Sequence, residues 1–106
     1  MTTAPKGNAL ITGAALRIGR AIAIALADDG WTVGIHHHKS SDAADTLCRE
    51  LKQSGKNAYV VAANLADDGE IDGLAEQAVA AGGPLLCLVN NASVFENDRI
   101  DTLTRQ

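Results

Sequence analysis

Residues Asn8 to Ile24 read NALITGAALRIGRAIAI: an apolar strand runs into a glycine-punctuated turn and then into a helix of small residues. That order builds a seat for a nucleotide diphosphate. Gly13 can adopt the backbone angles of a tight turn, and Gly19, with no Cβ, lets the helix come close to the strand and the phosphates. The helix then directs its free N–H groups at the anion. The glycines of TGAALRIG stand six positions apart with Arg17 between them, whereas the GxGxxG fingerprint sets three glycines within six positions. The device is the same and the spacing differs.

Outward from this stretch, strand and helix patterns alternate. Asn8 to Thr12 reads as a buried strand, and Ile18, Ala21, Ile22, Ala25 and Leu26 recur at helical spacing as far as the Asp28, Asp29, Gly30 stop. Thr32 to His38 is a second strand. Ser41 is expected to cap a helix with Ala44, Leu47, Cys48 and Leu51 inward, ended by Gly55. Asn57 to Ala63 is a third strand. Asp67 and Glu70 form a capping box before Ile71, Leu74, Ala75, Ala78 and Val79, and Gly82, Gly83 and Pro84 close that helix. Leu85 to Asn90 is a fourth strand. AYVVAA and LLCLV are apolar on both faces, as strands of a parallel sheet covered by helices must be. Right-handed crossovers then give an α/β fold, a doubly wound parallel Rossmann-like sheet in βαβαβαβ order.

A chain of 106 residues, 46% hydrophobic, suits one domain with a packed core. Its net charge of −4 and pI near 5.1 argue against a general binder of nucleic acid or of membrane surfaces. Three aromatics, Trp31, Tyr59 and Phe95, are too few for a base-stacking surface. Cys48 and Cys87 lie in apolar patterns and are expected as buried thiols, which fits a reducing cytoplasm. ALITGAAL is broken by Gly13 and followed by Arg17, so it does not read as a signal peptide or membrane span.

Thr12, Gly13, Arg17 and Gly19, followed later by Asn90, Asn91, Ala92 and Ser93, resemble the TGxxxGxG and NNAG signatures of the short-chain dehydrogenase/reductase superfamily. Arg17 and Ser93 stand where most members have glycine. Both departures are shared with the pteridine reductase-like branch, whose pattern reads TGxxxRxG and NNAS. The resemblance runs from about Ala9 to Phe95. It implies strand order 3-2-1-4, further strands after the fourth, and a homo-oligomeric intact protein. Residues 1–106 would then be the NADP-binding N-terminal part of a larger single domain, with Arg99 to Gln106 opening the next helix. The fourth strand would be an exposed apolar edge. Reduction in the family uses a Ser and a Tyr with a Lys four residues later. Here the sole tyrosine is Tyr59, and the fourth residue after it is Ala63. No catalytic residue is therefore assigned in this chain, which alone is expected to be inactive.

Cofactor choice is read at the end of the second strand, where NAD-specific folds place an acid and NADP enzymes a cation. This chain reads His36, His37, His38, Lys39, Ser40, Ser41, with no carboxylate before Asp42, so NADPH is expected. Lys39 offers charge, Ser40 and Ser41 hydroxyls, and His36 and His38 an N–H for the 2′-phosphate. HHHKSS is also similar to the HxHRS of pteridine reductases. His36 and His38 face opposite to His37 along a strand, so the three do not share a metal and no metal site is expected. Arg17 meets the positive end of a helix, an arrangement that an anion reverses into paired charge-assisted bonds. Ile18 belongs to the same turn. By the resemblance, Arg17 also faces the substrate, Asn64 and Leu65 border the adenine, Asn91 and Ala92 border the adenosine ribose, and Ser93 borders the nicotinamide. Asn64 serves equally as a strand-end turn residue. Phe95 either stacks on a flat substrate ring or joins the core. The resulting expectation is a reductase passing hydride from NADPH to a pterin-like C=N or a carbonyl of a small molecule. A 3-oxoacyl or ketone reductase, a non-catalytic NADP-binding sensor and an interaction fragment are the alternatives.

Overall fold

In the computed structural model, which describes residues 5–91, strands β1 (Asn8–Ile11), β2 (Thr32–His37), β3 (Ala58–Ala62) and β4 (Leu85–Val89) alternate with helices α1 (Arg17–Asp28), α2 (Ser41–Gln53) and α3 (Asp68–Gly82). All strand pairs are parallel, and the order across the sheet is β3-β2-β1-β4. The expected topology is the observed one. Helices α1 and α2 cover one face, where Ala9, Ile11, Val33 and Ile35 meet Ala23, Ala27, Ala44 and Leu47. On the other face Leu10, Val61, Ala63 and Leu65 meet Leu74 and Ala78 of α3. No described helix is long and apolar enough to cross a membrane. Cys48 is buried and Cys87 half-buried, and both are free thiols.

Three details depart from the sequence reading. The face that α1 turns inward is Gly19, Ala23 and Ala27, while Ile18 is 70% exposed. A ridge of the smallest residues at i, i+4, i+8 lets the helix axis lie close to the sheet, and Ile22 and Leu26 flank that contact only partly buried. Helix α2 takes Ser40, not Ser41, as N-cap, without a side-chain cap bond. The capping box of α3 forms by half: Asp67 accepts from the amides of Gly69 and Glu70, at 2.9 and 3.3 Å, but the Glu70 carboxylate accepts from the Asn64 amide instead of that of Asp67.

Strand β4 has the two-sided apolar pattern of a covered strand but stands at the sheet edge, as expected of an exposed apolar edge, with Leu86 and Leu88 66% and 60% exposed. The register between β1 and β4 slips after Asn8, which pairs with Leu85 while Ala9 pairs with Cys87, so Leu86 is the extra residue of a bulge. Leu88 borders a shallow apolar groove with Leu10, Leu74, Ala75 and Leu85 beside α3.

At the start of β1, Asn8 is 1% exposed and fully used. Its Nδ2 donates to the carbonyls of Ala78 and Gly83 at 3.0 and 2.9 Å, and its Oδ1 accepts from the Tyr59 hydroxyl at 2.7 Å. The end of α3 is thereby tied to the central strand. Glycine is required on both sides of the knot: a Cβ at Gly82 would lie 2.7 Å from Asn8 Cγ, and one at Gly34 would lie 2.5 Å from Tyr59 Cζ. Burial also pushes the Tyr59 hydroxyl above its ordinary pKa, so it stays a donor. Tyr59→Phe should destabilise the protein by about 1–2 kcal/mol, because it strands a buried acceptor. Urea denaturation measures this, and an unchanged midpoint would show that the knot contributes nothing.

Candidate functional site

The chain leaves β1 through the turn Thr12–Leu16, and the two neighbouring strands, β2 and β4, hold that turn by its backbone. The Thr12 amide donates to the Val89 carbonyl at 3.0 Å, and the Ala14 amide donates to the His36 carbonyl at 3.0 Å. Gly13 adopts φ +63°, and its amide donates to His36 Nδ1 at 2.9 Å. From the far side Asn91 closes the turn. Its amide donates to Thr12 Oγ1 at 2.8 Å, and its Nδ2 approaches the Gly13 carbonyl at 3.4 Å. The glycine motif and the Asn-Asn motif thus meet where β1 lies between β2 and β4, the switch point at which open α/β sheets bind ligands.

Helix α1 starts against this turn. A Cβ on Gly19 would clash with the Gly13 carbonyl oxygen and lie 2.6 Å from Asn91 Nδ2, so only glycine permits the approach. Leu16 is the N-cap and makes no side-chain cap bond, and the first turn contains no acidic residue. The first N–H groups of the helix therefore remain available to an anion. Arg17 occupies this position at φ +56°, the only left-handed non-glycine among the described residues. It is exposed and makes no ion pair among them. Left-handed backbone costs an L-residue about 1–2 kcal/mol, which is a steric reason for glycine to be common here. Ile18 projects outward beside it.

At the end of β2 the structure corrects one assignment. His36 is not a phosphate donor on the surface: it is 2% exposed, and both ring nitrogens are engaged, Nδ1 by the Gly13 amide and Nε2 by the Ala63 carbonyl at 2.9 Å. Burial pushes its pKa below the ordinary value, and His37 and His38 act in the same direction. His38 and Lys39 are exposed, Ser40 is half-buried and Ser41 exposed, so these groups face solvent beside the turn. Asn64 serves as a turn residue, its Oδ1 accepting from the Ala66 amide at 3.0 Å, and Leu65 packs its side chain into the α3 core. Ala92, Ser93 and Phe95 lie outside the described residues.

Two participants escape the sequence reading. Thr12 acts through its hydroxyl as the pin between β1 and the segment after β4, a role that only the fold reveals. His37 is 8% exposed, and its Nδ1 has no partner among the described residues. Its position between two assigned histidines was the signal available. Tyr59 belongs to the closed knot around Asn8, at the opposite end of the sheet from this turn. Among the described residues no group of three or more His, Cys, Asp or Glu side chains could hold a metal ion.

The sequence pattern described as short chain dehydrogenase matches residues 7–106. The chain is 33% identical over 99 residues to the 3-oxoacyl-[acyl-carrier-protein] reductase FabG of Staphylococcus aureus, covering 93% of this chain and 40% of that protein. The crystal structure of FolM Alternative dihydrofolate reductase 1 from Brucella canis complexed with NADP superposes with a TM-score of 0.80 at 43% identity, over 86% of this chain and 36% of that one. A short-chain dehydrogenase/reductase from Serratia marcescens gives 0.80 at 28% identity, over 92% and 43%. The chain thus spans about 40% of the length of the curated relatives it matches.

Gly19→Ala should lower stability by at least about 2 kcal/mol, since the added methyl meets backbone that cannot rotate away. Thermal melting reads this directly, with Ala23→Gly as a reference on the same inward ridge. A neutral Gly19→Ala would mean that helix and turn are not in contact.

Proposed function

The chain belongs to the short chain dehydrogenase family, and on that premise we propose that it is the NADPH-binding part of a reductase that delivers hydride to a pterin-like C=N bond. The observation that carries this reading is Arg17, a strained left-handed residue kept at an uncapped helix start. Strain of that kind persists where it serves a site. Its guanidinium can make paired charge-assisted bonds to the diphosphate while the first amides of α1 bind the same anion. Lys39, His38, Ser40 and Ser41 supply donors for the 2′-phosphate, and no carboxylate stands before Asp42 to accept from a free ribose. The unpartnered Nδ1 of His37 is a buried polar atom of the sort that a bound polar ligand satisfies. The residues present therefore fit the dinucleotide. When bound, its nicotinamide supplies the hydride. Asn91 and Thr12 keep the turn rigid, and Ser93 and Phe95 are proposed to line the substrate side.

The pterin reading is supported by the 43% identity to the Brucella dihydrofolate reductase and by the TGxxxRxG and NNAS patterns. A 3-oxoacyl or ketone substrate is the second reading, favoured by the FabG relatives. The catalytic Ser, Tyr and Lys are not assigned within these residues, because Tyr59 is committed to Asn8 and its pKa is raised, not lowered.

NADPH should bind the full-length protein about a hundredfold more tightly than NADH, the equivalent of two charge-assisted bonds or about 3 kcal/mol. Lys39→Asp should narrow that gap in fluorescence titrations. Equal curves for the two nucleotides in the parent would end the assignment.

Arg17→Gly separates strain from function. Relief of the left-handed backbone should leave stability unchanged or raise it by up to about 1 kcal/mol, while NADPH affinity and dihydropterin turnover both fall. A variant that is less stable yet equally active would show that Arg17 is structural.

A further inference from the structure

We infer that His36 is a positioning residue, held in one tautomer, that sets the nucleotide-binding turn by accepting the Gly13 amide. This rests on the reading of that turn as the nucleotide seat, and it concerns a buried side chain whose two ring nitrogens are both engaged within the protein.

Two bonds fix the chemistry of the ring. A carbonyl oxygen can only accept, so the 2.9 Å contact to Ala63 requires a proton on Nε2. The Gly13 amide can only donate, so the 2.9 Å contact at Nδ1 requires a bare nitrogen. Only the neutral Nε2–H form satisfies both. The ring thus spans from the end of β3 to the turn after β1, while the backbone of the same residue accepts from the Ala14 amide. Two consecutive amides of the turn are therefore aimed at one residue of β2. That leaves the orientation of the following peptides determined, because Gly13 at φ +63° has no side chain to brace it. On the opposite side the Gly13 carbonyl is held by Asn91 and lies under Gly19.

Protonation would put a second N–H on the ring, facing the Gly13 N–H. One of the two must move, and the Gly13–His36 bond is lost. The surroundings oppose that event. His37 and His38 act against a charge on the ring, the turn Thr12–Leu16 contains no titratable side chain, and Arg17 follows it. Strand β3 contributes only Tyr59, bonded to Asn8. The acids of α3, Asp68, Glu70, Asp72 and Glu76, are exposed. Burial lowers the histidine pKa in the folded state. The ring's contribution to stability is therefore complete above the ordinary value of about 6.5, and it is lost as the pH falls below that towards the folded pKa.

The test uses the full chain. Nitrogen-15 shifts of the His36 ring should show a bare Nδ1 and a protonated Nε2 at neutral pH, and the Gly13 amide should move with the ring when acid protonates it. The opposite tautomer, or a Gly13 amide that ignores the ring's titration, overturns the proposal whether or not any nucleotide binds. NADPH titration adds the functional arm. Asn at position 36 places an oxygen near Nδ1 and keeps the acceptor, whereas Leu removes it. His36→Asn should stay within about threefold of the parent, and His36→Leu should lose about tenfold or more. Across the pH range in which the nitrogen-15 shifts report protonation of the ring, parent affinity should fall more steeply with acid than that of His36→Asn, which shares the same 2′-phosphate, His37 and His38. Should His36→Leu fail to fold, the comparison of parent and His36→Asn decides alone, and parallel pH profiles overturn the inference. Failure of the parent to bind NADPH at all would sink the proposed function and leave the ring measurement to judge His36.

Discussion

The absence of a Cβ at Gly19 sets the distance on which the rest of the site depends. Helix α1 rests directly on the Gly13 carbonyl, and Ala23 and Ala27 continue that close contact down the sheet. Because the helix starts so near the strand, the chain has only the residues from Thr12 to Leu16 in which to reverse and climb into it. The left-handed step at Arg17 is the geometric result. A bulkier ridge on α1 would relax that step and carry the helix amides away from the turn. Packing and strain are here two aspects of one constraint.

The two ends of β1 are both polar and do opposite things. At the N-terminal end, Asn8, Tyr59 and the last carbonyls of α3 satisfy one another completely, so nothing remains to recruit a ligand. At the C-terminal end the polar groups hold backbone in place and, among the described residues, leave others open: the first amides of α1, the Arg17 guanidinium and His37 Nδ1. A closed network gives rigidity, and an open one keeps hydrogen-bonding capacity. The sheet therefore has one pole that is satisfied and one that is not.

Much of the architecture was legible because it is written in periodicity. The alternation of apolar runs and helical patterns located every described element to within a residue or two, the expected helix Arg99 to Gln106 lying outside the described residues, and the inward face of α2 was read as it stands. Helix α1 was misread because hydrophobicity points to Ile18 and Ile22, whereas the contact is decided by size, with glycine and alanine nearest the sheet. The same blindness hid the role of His36. Residue type announces a proton donor at a strand end, but only the fold reveals that Gly13 and Ala63 lie on either side of the ring. The exposure of Leu86 and Leu88 is likewise a matter of neighbours, since their sequence is that of any covered strand.

Strand β1 is the first of the four to be synthesised, yet it lies inside the sheet, and its partner β4 is the last. Asn8 waits for carbonyls 70 and 75 residues downstream, and Thr12 waits for the Asn91 amide 79 residues downstream. Contacts of that separation form late, after local helices and the β1–β2–β3 crossovers. During translation the glycine turn can be shaped by His36 once β2 is made, but it cannot be closed until Asn91 has left the ribosome. Closure of the turn thus becomes a sign that the β4 end of the sheet has arrived.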